Sequence, residues 1–129
     1  MNTSIKSGIV LGIGALLLVL STASGQEKDF DIVGDYSFEG TEDGAGFSGT
    51  AKITAHGDAF EIRYSSETVE NGVGIFDGET FSVCFVSEDD DSMGIVVFKL
   101  QDDNKTLVGN YAYFDGDGAL HPETLTKIE

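Results

Sequence analysis

Tryptophan is absent from this 129-residue chain, proline and cysteine occur once each, and Lys plus Arg number 7 against 23 Asp plus Glu. Each scarcity excludes something. Phosphate recognition needs clustered Lys and Arg, so nucleic acid is ruled out as a partner and an anionic membrane surface is disfavoured. With Cys84 alone no internal disulfide can form, whereas small exported domains often rely on such staples. Stability must come from sheet hydrogen bonds and packing, and Cys84 is read as a buried, inert thiol rather than a cross-link between chains. His56 and His121 are the only imidazoles, which excludes a multi-histidine metal centre without carboxylate help, and both are expected to be exposed. No Gly-x-Ser-x-Gly elbow is present to hold a nucleophile, so no catalytic residue is assigned.

What is present begins with an address label. Residues 1–25 carry a single charge, Lys6, then an apolar run from Ile9 to Leu20, then Ser21-Thr22-Ala23-Ser24-Gly25. Charge, apolar core and small residues in that order form a secretory signal. The run is shorter than the roughly 18 to 20 apolar residues that a membrane span requires, so cleavage after Ala23 or Gly25 is expected, with no membrane insertion afterwards. The expected mature part, residues 26–129, is one domain that is secreted or periplasmic. It keeps every acidic residue and loses Lys6, which makes it more negative than the −16 of the whole chain.

Short runs of β-branched and aromatic residues recur through the mature part, separated by Gly, Asp and Asn clusters. They predict strands near 32–38, 46–55, 58–64, 68–76, 79–86, 93–100, 106–114 and 121–128, with no long helix. The turns at His56-Gly57-Asp58, Asp77-Gly78-Glu79, Asp102-Asp103-Asn104 and Asp115–Gly118 are of the types that tight hairpins require. Short links force sequential antiparallel pairing, and a meander of about eight strands avoids open edges by closing into an up-and-down barrel. The expected class is therefore all-β, an antiparallel meander closing into a roughly eight-stranded barrel. Strict alternation marks Phe47, Ala51, Ile53 and Ala55, then Phe60, Ile62 and Tyr64, then Phe81, Val83 and Phe85, then Leu107, Tyr111 and Tyr113 as inward.

Gly34-Asp35-Tyr36 resembles the Gly-x-aromatic opening of lipocalins, in which an aromatic residue plugs the barrel floor. Leu107-Val108-Gly109-Asn110-Tyr111 resembles the Leu-x-Gly-x-aromatic strands of avidin-like barrels. Gly46–Thr50, Gly57–Phe60 and Gly72–Gly78 are similar to units of small exported bacterial barrels of unknown function. The resemblance implies a calycin-like architecture. It transfers no ligand, because the lipocalin disulfide and the avidin tryptophans are missing.

The candidate sites are of three kinds. Phe47, Phe60, Phe81, Phe85, Tyr111 and Tyr113 are the candidate interior ligand contacts, and their bulk favours a filled barrel over a hollow one. Ile95, Val97, Val108, Ala112 and Phe114 form an outward apolar patch, with Cys84 and Val86 beside it. Contiguous apolar surface of this kind is normally covered, either by the segment Gln26–Asp31 with Phe30 and Ile32 or by a second copy in a homodimer. Glu88, Asp89, Asp91, Asp115 and Asp117 are weak cation candidates. Counted against a calcium loop, Asp115 and Asp117 fit but Ala119, Leu120 and Thr126 fail, and Asp89 and Asp91 are let down by Met93 and Leu100. These clusters are read as solvated hairpin tips, and no cofactor is expected.

The expected function is that of a non-enzymatic exported barrel of the cell envelope or exterior that binds a protein partner or a small apolar ligand. The alternatives are a carrier with an apolar interior cavity and a small barrel enzyme. Paired-carboxylate hydrolysis is unsupported, since inward positions read as almost wholly apolar.

Overall fold

The computed structural model describes residues 29–128; the expected signal segment lies outside them. Eight antiparallel strands follow one another in chain order and close into a barrel: β1 (Gly34–Glu42), β2 (Ala45–His56), β3 (Ala59–Ser65), β4 (Val69–Phe76), β5 (Thr80–Ser87), β6 (Met93–Leu100), β7 (Thr106–Tyr113) and β8 (His121–Lys127). β1 seals the barrel by pairing with β8, Phe38 lying opposite Leu125. The all-β meander and its closure are as the sequence predicts.

Strand bounds shift by a residue or two except in β1, which runs on to Glu42 where 38 was expected. Asp43 and Gly44 both take positive φ, 51° and 82°, and join Glu42 to Ala45 directly across the ladder. A two-residue turn with this geometry matches the twist of its strands, so the polar stretch Glu39–Glu42 stays in the sheet. Other turns are held by their own acids. The Asp77 carboxylate accepts the N–H groups of Glu79 and Thr80 at 2.9 and 2.7 Å, and Asp103 accepts those of Lys105 and Thr106. Charged acceptors bonded this way favour ionisation, and both carboxyls sit below the usual range.

One half of the barrel is solid. Tyr36, Ile53, Ile62, Phe81, Phe98, Leu107 and Leu125 are wholly buried there. Phe81 is edge-on to Phe60 and Phe76 and stacks near Phe98, with centroids 6.3–6.4 Å apart, spacing that favours aromatic pairs. The segment before β1 closes this end. The Tyr36 hydroxyl donates to the Ile32 carbonyl at 2.6 Å, Ile32 is buried, and Phe30 meets Phe76 edge-on at 6.1 Å. Lys127 lies over the Phe30 ring and donates to the Asp31 carbonyl. Of the two covers expected for the outer sheet, the one by Phe30 and Ile32 is thereby corrected: they form the barrel floor.

Further expectations fail at particular residues. Ala55 is exposed, because β2 overhangs the floor where no interior remains to receive it. Cys84 is exposed on the outer face, since the alternation that buries Val83 and Phe85 turns it outward. His121 is half-buried, its ring 5.1 Å from that of Tyr111.

Candidate functional site

At the other end the interior is open. The links β1–β2, β3–β4, β5–β6 and β7–β8 surround a cup of about 1040 Å³ that opens to solvent. A barrel filled throughout, as the aromatic content led one to expect, is corrected by this cup. Its physical origin lies in the inward positions near the mouth, which hold Gly40, Glu42, Glu70, Gly94 and Glu123 in place of large apolar residues.

Aromatic rings form the wall. Phe38 meets Tyr64 edge-on at 5.1 Å and Phe47 at 6.0 Å, and Phe47 reaches Tyr111 at 6.0 Å. Tyr111 and Tyr113 are 5.7 Å apart, and both are edge-on to Phe85. Glycine lets two of these rings lie against the sheet. A Cβ on Gly40 would stand 2.6 Å from Phe47 Cζ, and one on Gly94 2.5 Å from Phe85 Cζ. Four of the six interior candidates, Phe47, Phe85, Tyr111 and Tyr113, line this cup. Phe60 and Phe81 do not; they belong to the solid half, because β3 and β5 pass through it before reaching the mouth. Phe38 and Tyr64 join the wall and were not among the candidates.

Three carboxyls enter the cup, correcting the reading of an almost wholly apolar interior. Glu123 on β8 is only 8% exposed. Its cross-strand neighbours are Gly40 on β1 and Gly109 on β7; the Phe47 ring lies over Gly40 and the β6 backbone at Val97 crowds Gly109, and Glu123 lines the cup between them. The Tyr64 hydroxyl donates to Glu123 Oε2 at 2.8 Å. Burial, opposed by this hydrogen bond and reinforced by the charge of Glu70, pushes Glu123 up to about 7. Glu70, paired with Tyr64 across β3 and β4, is raised as well, by burial first and then by Asp90 and Glu42. Glu42 accepts from the Tyr111 hydroxyl at 3.3 Å. Burial and these neighbouring acids keep the phenols of Tyr64, Tyr111 and Tyr113 well above the usual tyrosine range, so all three serve as neutral donors.

These acids were missed, yet a signal existed. Alternation carried outward from Phe38, Gly72 and Leu125 reaches Glu42, Glu70 and Glu123.

The acidic tips are dispersed. Glu88 is held by Arg63 at 3.0 Å and by Asn71 at 2.9 Å, and Asp117 accepts the Ala119 N–H. Asp89, Asp91 and Asp115 are exposed, and no group of three or more metal-ligating side chains gathers among the described residues.

On the outer face Ile95, Val97, Val108 and Phe114 are exposed, and Ala112 is half-buried beside them. Val73 and Ile75 on β4 extend the apolar stripe further than expected. A groove of about 200 Å³ runs between Cys84, Met93, Ile95, Ala112 and Phe114. Among the described residues nothing lies over it.

A scan against protein-family models found no match, and no curated protein matches the chain.

Proposed function

We propose that this protein is a non-enzymatic, calycin-like binding barrel that is exported and holds a small molecule in the cup at its open end. The observation that carries the reading is the cup itself: about 1040 Å³ walled by aromatic rings over a solid floor. Ligand pockets of roughly 300–1,000 Å³ with apolar walls and a few convergent polar groups are the usual form of a small-molecule site, and Tyr64, Glu70 and Glu123 supply the polar groups. Export rests on the pattern of residues 1–25. A small-molecule occupant is favoured over a protein partner because the cup is concave and lies inside the barrel wall.

Native mass spectrometry of the protein purified from its own host tests this. The expected result is a mass in excess of the chain by a small organic molecule that dissociates on activation. The bare chain mass in every charge state would contradict the reading.

One observation favours a second reading, acid–base chemistry. Glu123, pushed up to about 7, shares the cup with Glu70, which is raised as well, and a carboxyl that titrates near neutral pH suits a proton donor or acceptor role. Incubating the released ligand with fresh protein separates the two: a binding protein returns it unchanged, whereas an enzyme returns a product.

A further inference from the structure

We propose that the ligand of this cup is a small organic cation, an amine or quaternary ammonium with an apolar body, whose charge is met by Glu123 and Glu70 and whose body lies against the aromatic wall. This inference rests on the binding reading above and adds the chemical class of the ligand.

The first argument is the state of Glu123. A carboxylate withdrawn from water is costly unless it is paired and hydrogen-bonded. Glu123 is 8% exposed, and a single hydrogen bond, from Tyr64, reaches its carboxyl among the described residues. The ion pairs among those residues are Lys52–Asp35, His56–Glu61 and Arg63–Glu88, all on the outside of the barrel. Among the described residues no Lys or Arg pairs with the acids of the cup. Glu123 lines the cup, so a partner from elsewhere reaches its carboxyl from that space.

The second is the wall. The faces of Phe and Tyr rings carry the negative end of a quadrupole and attract a cation within about 6 Å of the centroid, most strongly where water is excluded. Phe38, Phe47, Tyr64, Phe85, Tyr111 and Tyr113 all line the cup.

The third is the rim. The four links around the mouth carry Asp43, Glu67, the run Glu88–Asp91, Asp115 and Asp117, and no Lys, Arg or His. A cleft of one sign with low-dielectric walls concentrates ions of the opposite sign. An anionic ligand would have to pass that rim and then meet three carboxyls. A metal ion is disfavoured from the other side, because no three carboxyl, imidazole or thiol groups are placed to hold one among the described residues.

Proton linkage supports the assignment. The groups facing Glu123 are Glu42 from β1, Tyr64 from β3, Glu70 from β4, Tyr111 and Tyr113 from β7 and His121 on β8 itself, with Asp90 close to Glu70 at the rim. None brings a fixed positive charge. Glu123 is pushed up to about 7 in the empty cup, and an ammonium arriving beside it would draw that value down. Binding at neutral pH therefore releases a proton.

Three probes with one body and different charge decide the matter: 2-phenylethylamine, 2-phenylethanol and phenylacetate, titrated calorimetrically into the purified protein at pH 8 and low salt. The amine is expected to bind at least tenfold more tightly than the alcohol, and phenylacetate more weakly still. At pH 7 the amine's heat should vary with the ionisation enthalpy of the buffer, reporting proton release, and the alcohol's should not. Glu123→Gln, which preserves an acceptor for Tyr64, should abolish the tenfold preference at an unchanged circular-dichroism spectrum. Glu70→Gln should reduce it, and the wild-type probe series stands even if either variant misfolds. If alcohol and amine bind alike, the cation assignment is overturned while the binding cup survives. If none of the probes binds, the cup reading falls with it.

Discussion

The Tyr64 hydroxyl donates to Glu123 across the barrel interior at 2.8 Å, joining β3 to β8 although β1 and β2 stand between them in the sheet. This contact spans the base of the cup and fixes which carboxyl oxygen remains free. Tyr64→Phe removes a bond to a group that is charged above its raised titration point. The expected cost is about 1.5–3 kcal/mol at pH 8, falling to about 1 kcal/mol at pH 5, where the carboxyl is neutral. Urea denaturation at the two pH values measures this, and equal costs would mean that Glu123 does not titrate between them.

Glu123 also sets how stability depends on pH. Its folded-state value of about 7 lies above its ordinary 4.5, so the folded protein binds the proton more tightly than the unfolded chain does. The resulting stability is fully present below about 4.5 and is lost as pH rises through 7, a change of roughly 3 kcal/mol. Asp77, Asp90 and Asp103 act in the opposite sense. Hydrogen bonds from their own turns lower them, so their contribution is lost as pH falls below the ordinary 3.8. Stability should therefore peak near pH 4–5 and decline towards pH 8. A ligand-free protein most stable at pH 8 would contradict the placement of Glu123.

The alternation of the sheet makes neighbouring residues respond in opposite ways. Val96 is 1% exposed and Val97 45%. Val96→Asp buries an unpaired charge and should prevent folding, whereas Val97→Asp should shift the melting temperature by only a few degrees. Phe81→Ala, at the centre of the solid half, should cost about 3–5 kcal/mol. Similar outcomes for Val96 and Val97 would mean a register slipped by one residue.

A net charge of −16 on this chain repels itself, and salt screens exposed charges over about 10 Å at 0.1 M. The melting temperature should rise with sodium chloride. Calcium and magnesium at matched ionic strength should act alike, because Asp90 and Asp117 are engaged by the Ser92 and Ala119 amides and Glu88 by Arg63. A calcium-specific rise would reveal a site at the Glu88–Asp91 link or the Asp115–Asp117 turn.

The architecture was legible because strand periodicity and turn chemistry are local. Val83 and Phe85 alternate visibly with Ser82 and Cys84, and the Asp-Gly turns name themselves. The cup was legible only in part. β8 reads His-Pro-Glu-Thr-Leu-Thr-Lys and offers one large apolar residue, Leu125, from which to set its parity. That glycines stand on both sides of Glu123 depends on the pairing of β8 with β1 and β7, strands distant or offset in sequence. The same holds for the Tyr64–Glu123 contact, between residues 59 apart. Whether large rings fill a barrel or line it depends on strand tilt and stagger at closure, and here Gly40 and Gly94 let Phe47 and Phe85 lie against the wall.

The central claim, that the open end is the binding site, is tested most directly by a nuclear magnetic resonance titration of the labelled protein with 2-phenylethylamine. Side-chain shifts should be confined to Phe38, Phe47, Tyr64, Phe85, Tyr111, Tyr113 and the Glu123 carboxyl, with Phe81 and Phe98 in the solid half unmoved. Shifts centred on Ile95, Val97 and Phe114 of the outer sheet, or none at all, would contradict it.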